Sequence, residues 1–198
     1  MGLTIYLDDQ VYEPKEDSFL LHDTFLKDVK NQQNSILEIG AGSGYIILSI
    51  ALKFPHFGHY ATDINFQATQ LILYNAQVNG IENLQIICGD INTAFRKNAG
   101  PEIIIFNPPY LPKDKEIDPL IRKYEYYQLI GGEEGFEVAS NILQNNEGAE
   151  STIYLIISSL STNPEAFARN NDRWFIHVLQ EKKMEFESIW VIKANGMI

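Results

Sequence analysis

With 198 residues, 45% of them apolar, the chain is long enough to bury a full core and predicts one globular domain over residues 1–198. A formal net charge of −11 repels phosphate backbones, which disfavours nucleic acid as a direct partner unless another subunit supplies a basic groove. Cys88 is the lone cysteine, which excludes an intrachain disulfide and a cysteine-based zinc site and fits a reducing, cytoplasmic setting.

The opening Met1-Gly2-Leu3-Thr4-Ile5-Tyr6 lacks the basic flank and apolar core of a signal peptide. The longest apolar stretch, around Ile46 to Leu52, is too short to span a bilayer. A first helix is expected over Ser18–Val29, with Ser18 as its N-cap and Phe19, Leu20 and Phe25 on the core face. Strand Ile36–Ile39 then runs into Gly40-Ala41-Gly42-Ser43-Gly44 and a helix over Tyr45–Lys53. Three alternate glycines let a backbone turn tightly and approach a ligand beside a helix N-terminus. Their spacing is not the dinucleotide pattern G-x-G-x-x-G. Glu38, inside the strand, is a costly carboxylate unless a cation or donor meets it.

The second strand, His59–Thr62, ends at Asp63. Asn65 is a good cap for the next helix, Phe66–Val78, which leaves Asp63 for ligand hydroxyls. A third strand, Leu84–Cys88, is followed by Asp90, placed for a ligand amino group or a turn cap. The fourth, Ile103–Phe106, meets Asn107-Pro108-Pro109-Tyr110 without a linker. Two prolines fix the backbone and remove two N–H donors. Carbonyls and an Asn amide are thereby held beside an aromatic ring, a site suited to a planar NH2 group. The plain alternative is a rigid turn with Tyr110 as core filler.

Lys113, Lys115, Arg122 and Lys123, near Tyr124, Tyr126 and Tyr127, read as a substrate-facing lid or as a solvated loop with aromatic anchors. Helices Phe136–Gln144 and Pro164–Asn171 flank a strand over Ile153–Ser158. Two last runs, Phe175–Gln180 and Ser188–Lys193, are joined by a gap too short for a crossover helix, so they pair as an antiparallel hairpin. The sum is an α/β fold with a seven-stranded, mostly parallel sheet. His22, His56, His59 and His177 lack metal-ligand spacing, and no metal is expected.

The Gly loop, Asp63 and Asp90 together resemble a class I S-adenosylmethionine-dependent methyltransferase. The Asn-Pro-Pro-Tyr motif is similar to that of enzymes that methylate nitrogen in planar amides or amines. The run Val11-Tyr12-Glu13-Pro14-Lys15-Glu16-Asp17-Ser18-Phe19-Leu20-Leu21 looks like a segment of the short eukaryotic and archaeal HemK-type protein-glutamine enzymes. Leu129-Ile130-Gly131-Gly132-Glu133-Glu134-Gly135 looks like their later glycine segment. The resemblance implies a Rossmann-like fold and N5-methylation of the glutamine in the Gly-Gly-Gln loop of the class I translation termination factor. It implies a small zinc-binding activator as partner. It also implies catalytic roles for Asn107, Pro108 and Tyr110, and cofactor contacts for Tyr12, Pro14, Ser18, Glu38, Gly40, Gly42, Gly44, Asp63, Ile64, Asp90, Ile91 and Asn107. By analogy with the fold, the third strand is a sheet edge without charge or proline, and the activator is expected there by strand addition near Ile81, Leu84 and Ile86. A nucleic-acid amino-methyltransferase and a protein lysine methyltransferase are the competing readings.

Overall fold

A computed structural model describes residues 2–30, 35–90, 100–116 and 118–197. Five strands pair in parallel: β1 (Ser35–Ile39), β2 (Gly58–Asp63), β3 (Leu84–Cys88), β4 (Ile103–Phe106) and β7 (Thr152–Ser158). Two more close the sheet, β8 (Trp174–Lys183) and β9 (Ser188–Gly196), with β9 antiparallel to both β7 and β8. The sheet order is β3-β2-β1-β4-β7-β9-β8. The chain moves outward from β1 to β3, then returns to the other side of β1. Open α/β sheets bind ligands at such a reversal, outside the carboxyl ends of the strands. The register sets Ile39 beside Phe106, so Gly40 and Asn107 leave neighbouring strand ends.

Parallel strands covered on both faces read as continuous apolar runs. In β4, Ile103 and Ile105 join the core under α1 (Glu16–Asp28), α2 (Tyr45–Lys53) and α3 (Phe66–Val78). Ile104 and Phe106 join the opposite core, with Leu143 of one helix (Glu137–Asn145) and Phe167 of another (Pro164–Asn170).

Three features depart from expectation. Helix α1 begins at Glu16, with Lys15 at the N-cap position, so Ser18 lies inside the first turn and is not the cap. Glu16 and Asp17 supply the first-turn negative charge that a helix N-terminus favours. The hairpin is longer than its apolar run, because β8 continues through Glu181, Lys182 and Lys183 before turning at Met184–Glu187. An edge strand carries charge to deter further pairing, so hydropathy under-reads its length. The stretch after Tyr110 holds a short parallel pair, β5 (Leu111–Pro112) with β6 (Ile130–Gly132), and a two-turn helix, α4 (Lys123–Leu129). The remaining helices, Glu137–Asn145 and Pro164–Asn170, are α5 and α6.

Strand β3 does lie at the sheet edge. Ile81, Leu84 and Ile86 are partly buried against the chain's own core, so the edge backbone is what it offers outward. Among the described residues, no helix is long and apolar enough to cross a membrane.

Candidate active site

The glycine loop is shaped by backbone geometry that other residues resist. Gly40, Gly42 and Gly44 take φ of 58°, 56° and 81°. For an L-residue that region costs about 1–2 kcal/mol. A Cβ on Gly44 would also stand 3.1 Å from Leu48 and 3.2 Å from Ile72. Gly44 is the N-cap of α2 and has no side chain to cap with. Glu38 takes over that task from β1, its Oε2 accepting the Ile47 N–H at 2.8 Å. The carboxylate thus finds its donor within the chain, although burial still pushes its pKa well up, opposed by the Ile47 N–H and reinforced by Asp63.

Asp63 is less free than its position in the sequence implies. Asn65 does cap α3, accepting from Gln67 N–H. Yet Asp63 Oδ2 accepts the Gly42 N–H at 2.9 Å and Oδ1 accepts the Asn65 N–H at 2.8 Å. Burial raises its pKa, and these backbone donors pull it back. The residue therefore fastens the glycine loop to the end of β2. The Ile64 N–H also acts on this carboxylate, which still keeps acceptor capacity for a ligand. Ile64 beside it is 64% exposed, an apolar side chain on the lip of the cavity.

The segment before α1 crosses this loop. The Tyr12 carbonyl lies 3.6 Å from where a Gly42 Cβ would stand. Fully buried Asn75 holds the segment through Tyr6 N–H and Tyr6 C=O, and its Nδ2 also donates to Ser43 C=O. Asn79, one turn later, pairs the same way with Thr4. A cavity of about 1060 Å³ opens beneath, lined by Tyr12, Pro14, Ser18, Glu38, Gly40 and Gly42 on one side, and by Asp63, Ile64 and Asp90 further along. Gly44 is not among its lining residues and acts as the turn into α2. Ile91 lies outside the described residues.

Asn107, Pro108 and Tyr110 line the same cavity. Asn107 Nδ2 donates to Ser18 Oγ at 3.2 Å. Its Oδ1 is buried with no hydrogen-bond partner. Buried polar atoms are rarely left so, and an acceptor without a donor calls for an N–H from elsewhere. Tyr110 OH reaches Asp17 Oδ2 at 3.4 Å, and Tyr12 OH reaches the same atom at 3.0 Å. Burial, and next the Asp17 charge, hold both phenols far above their ordinary pKa, so they stay neutral donors.

The motif is braced from behind by residues whose glycine pattern was visible but whose contact was not. A Cβ on Gly131 would fall 2.4 Å from Pro109 C=O, and one on Gly135 would fall 2.7 Å from Tyr110 C=O. Only glycines let this segment lie against the motif's backbone. Helix α4 places Lys123, Tyr124 and Tyr127 on the cavity, and its Gln128 donates to Gln10 C=O on the crossing segment. Lys113 pairs with Glu133 beside them. Asp17, at the centre of the catalytic side, carried no sequence signal beyond its place in the Tyr12–Leu21 run.

The chain matches the family described as methyltransferase small domain over residues 16–124, which spans α1 through the Asn107–Tyr110 motif. It is 33% identical to a Methanocaldococcus jannaschii protein provisionally named a protein N5-glutamine methyltransferase, across 98% of this chain and 95% of that one. It is 31% identical to the Schizosaccharomyces pombe eRF1 methyltransferase catalytic subunit mtq2, over 67% of this chain and 64% of that one. A bacterial release factor glutamine methyltransferase, from Thermodesulfovibrio yellowstonii, is 31% identical over 60% of the chain, which spans 43% of that longer protein. Among solved structures, the E. cuniculi Mtq2–Trm112 complex shares the fold with a TM-score of 0.69 at 19% identity, over 95% of this chain and 99% of that chain. By the domain match and the archaeal likeness along nearly its whole length, this protein belongs to the methyltransferase small domain family and is an S-adenosylmethionine-dependent methyltransferase.

Proposed function

We propose that the chain methylates N5 of the glutamine in the Gly-Gly-Gln loop of the class I translation termination factor. The observation that carries this reading is the Oδ1 of Asn107, buried and without a hydrogen-bond partner on a residue that lines the cavity. A primary amide has two N–H donors on a planar nitrogen, which is the complement of that acceptor. The net charge of −11 disfavours a nucleobase amide or amine, unless another subunit supplies a basic groove. Relatives named for release-factor and eRF1 methylation point the same way.

The residues present fit the cofactor. Asp63 retains acceptor capacity for ribose hydroxyls, Ile64 offers an apolar shelf for a base, and the Gly40–Gly44 turn leaves room for a close approach. Tyr12, Pro14 and Ser18 cover the other side, with Glu38 below and Asp90 at the end of β3. When bound, S-adenosylmethionine supplies an electrophilic methyl group on a sulfonium. Asn107 Oδ1 and the Pro108 carbonyl each accept one N–H of the substrate amide. This holds the nitrogen lone pair toward the methyl and stabilises positive charge as it develops. Tyr110 covers the amide plane and excludes water. With the methyl group that the cofactor would supply, the positive charge developing on the substrate nitrogen would lie against Asn107 Oδ1 and the Pro108 carbonyl, and the product would shed its proton afterwards. No side chain need act as a base, and neutral Tyr12 and Tyr110 are unsuited to it.

We further propose that a small zinc-binding activator pairs with edge strand β3, whose Leu84-Gln85-Ile86-Ile87-Cys88 carries no charge or proline. The E. cuniculi neighbour is a complex with Trm112. Residues 1–198 act as one catalytic domain in the cytoplasm, where a termination factor and a lone free thiol both belong. The test offers labelled cofactor and the co-expressed activator with termination factor, histone or DNA. Label on the termination factor, lost when its loop glutamine is changed, supports the reading. Label on histone or DNA alone overturns it.

A further inference from the structure

Asp17 is 4% exposed at the meeting point of three chain segments, and the mechanism above gives it no task. Its Oδ2 accepts from Tyr12 OH of the crossing segment and from Tyr110 OH of the motif. Its Oδ1 accepts from Ser18 N–H at 2.6 Å and from Ser18 Oγ at 3.3 Å. Ser18 Oγ in turn accepts from Asn107 Nδ2.

We propose that Asp17 is a positioning residue: acting through Ser18, it decides which end of the Asn107 amide faces the substrate. The inference rests on the amide-methylation reading for its consequence, but its geometry stands apart from it. The two ends of an Asn amide are nearly the same shape, so only hydrogen bonding chooses between them. A serine hydroxyl has one proton. With that proton directed to Asp17, Ser18 Oγ offers only lone pairs to Asn107, and the amide must turn its NH2 that way. Oδ1 is then left as the end of the amide without a partner, on a residue that lines the cavity. Without the carboxylate, the Ser18 proton is free to meet Asn107 Oδ1. The amide would rotate and present NH2 to the substrate's own NH2, two donors face to face. The two tyrosine donors fix Asp17 Oδ2 and so reserve Oδ1 for Ser18.

The plain alternative is that Asp17 serves only as a first-turn acid on α1, beside Glu16. That role would affect stability and leave turnover of the folded enzyme alone. The two are separated by Asp17→Asn, Ser18→Ala and their double variant in the full chain, assayed at saturating cofactor on the termination factor. Asp17→Asn should lower kcat by about tenfold to a hundredfold while the cofactor dissociation constant changes by less than about threefold. In the Ser18→Ala background the same change should lower kcat by less than about twofold more, because both act through one bond chain. Wild-type kcat in Asp17→Asn, or losses that multiply in the double variant, would overturn the proposal. If Asp17→Asn does not fold, Ser18→Ala alone should show the tenfold or larger loss, and unchanged turnover there overturns it.

Should the wild-type enzyme leave the termination-factor glutamine unmethylated, the functional reading fails and the positioning still has its own test. The Asn107 side-chain amide protons, followed by NMR, should exchange slowly in the wild type and faster in Asp17→Asn. Equal protection in both contradicts the positioning role.

Discussion

The two halves of the cavity are built on opposite terms. On the cofactor side the carboxylates and the bracing amide have partners inside the chain: Glu38 holds Ile47 N–H, Asp63 holds Gly42 and Asn65 N–H, and Asn75 ties the Ser43 backbone to Tyr6, while Ser43 Oγ is buried without a partner. On the catalytic side a network of comparable density, through Asp17, Ser18 and both tyrosines, ends in one buried oxygen with no donor. The first half is a preformed cradle whose internal bonds set its shape. The second spends its bonds on holding a buried carboxamide oxygen without a donor. Binding and chemistry should therefore separate cleanly under mutation.

The sharpest break is Asn107→Ala. It removes the unpartnered acceptor and should lower kcat by about 10²–10³-fold, with cofactor affinity measured by calorimetry nearly unchanged. Asp63→Asn should do the reverse. Losing charge-assisted bonds to Gly42 and a ligand hydroxyl acceptor should weaken cofactor binding by about tenfold to a hundredfold, with a smaller effect on turnover at saturation. Gly42→Ala sharpens the point that the cradle is a matter of backbone. The left-handed φ alone should cost about 1–2 kcal/mol in a denaturation experiment.

A pH series separates the cradle's buried carboxylates from its geometry. Glu38 in the folded chain has a pKa above the ordinary 4.5, chiefly because it is buried. The native state then holds that proton more tightly than the unfolded one. Stability from neutral Glu38 is full below 4.5 and is lost as pH rises through the raised value. Glu38→Gln is always neutral and can still accept from Ile47, so its stability relative to wild type should grow in denaturant titrations as pH rises from 4.5 toward the raised value. The smallest effect is expected for Asn79→Ala, which frees Thr4 from α3 at the rim. It should cost about 0.5–1.5 kcal/mol and leave kcat alone.

Much of the cradle was legible in the sequence. Strands buried on both faces read as apolar runs, and Gly40, Gly42 and Gly44 could be placed because a loop between strand and helix needs positive φ. Asn107-Pro108-Pro109-Tyr110 was legible because its strand ends where an α/β sheet binds ligands. What stayed hidden depends on partners distant in sequence. Glu38 caps a helix other than its own element, and nothing local announces that. Asp63 looked free because Asn65 took the capping role, yet it reaches back 21 positions to Gly42. Gly131 and Gly135 show as glycines, but their need to lie against Pro109 and Tyr110 is a tertiary fact. Helix α4 and the β5–β6 pair are too short for periodicity to register. The charged end of β8 belongs to an edge strand and so reads as a turn. Asp17 stood in plain view within a recognised run, and its meaning required three segments to be brought together.

The most direct measurement is the site of methylation. A termination factor incubated with the enzyme, its activator and labelled cofactor can be digested and its Gly-Gly-Gln loop fragmented by tandem mass spectrometry. One methyl on the side-chain nitrogen of that glutamine, absent with the Asn107→Ala enzyme, is the expected result. A methyl on a lysine or on any other residue, with the glutamine unmodified, would contradict the claim that Asn107 Oδ1 waits for an amide.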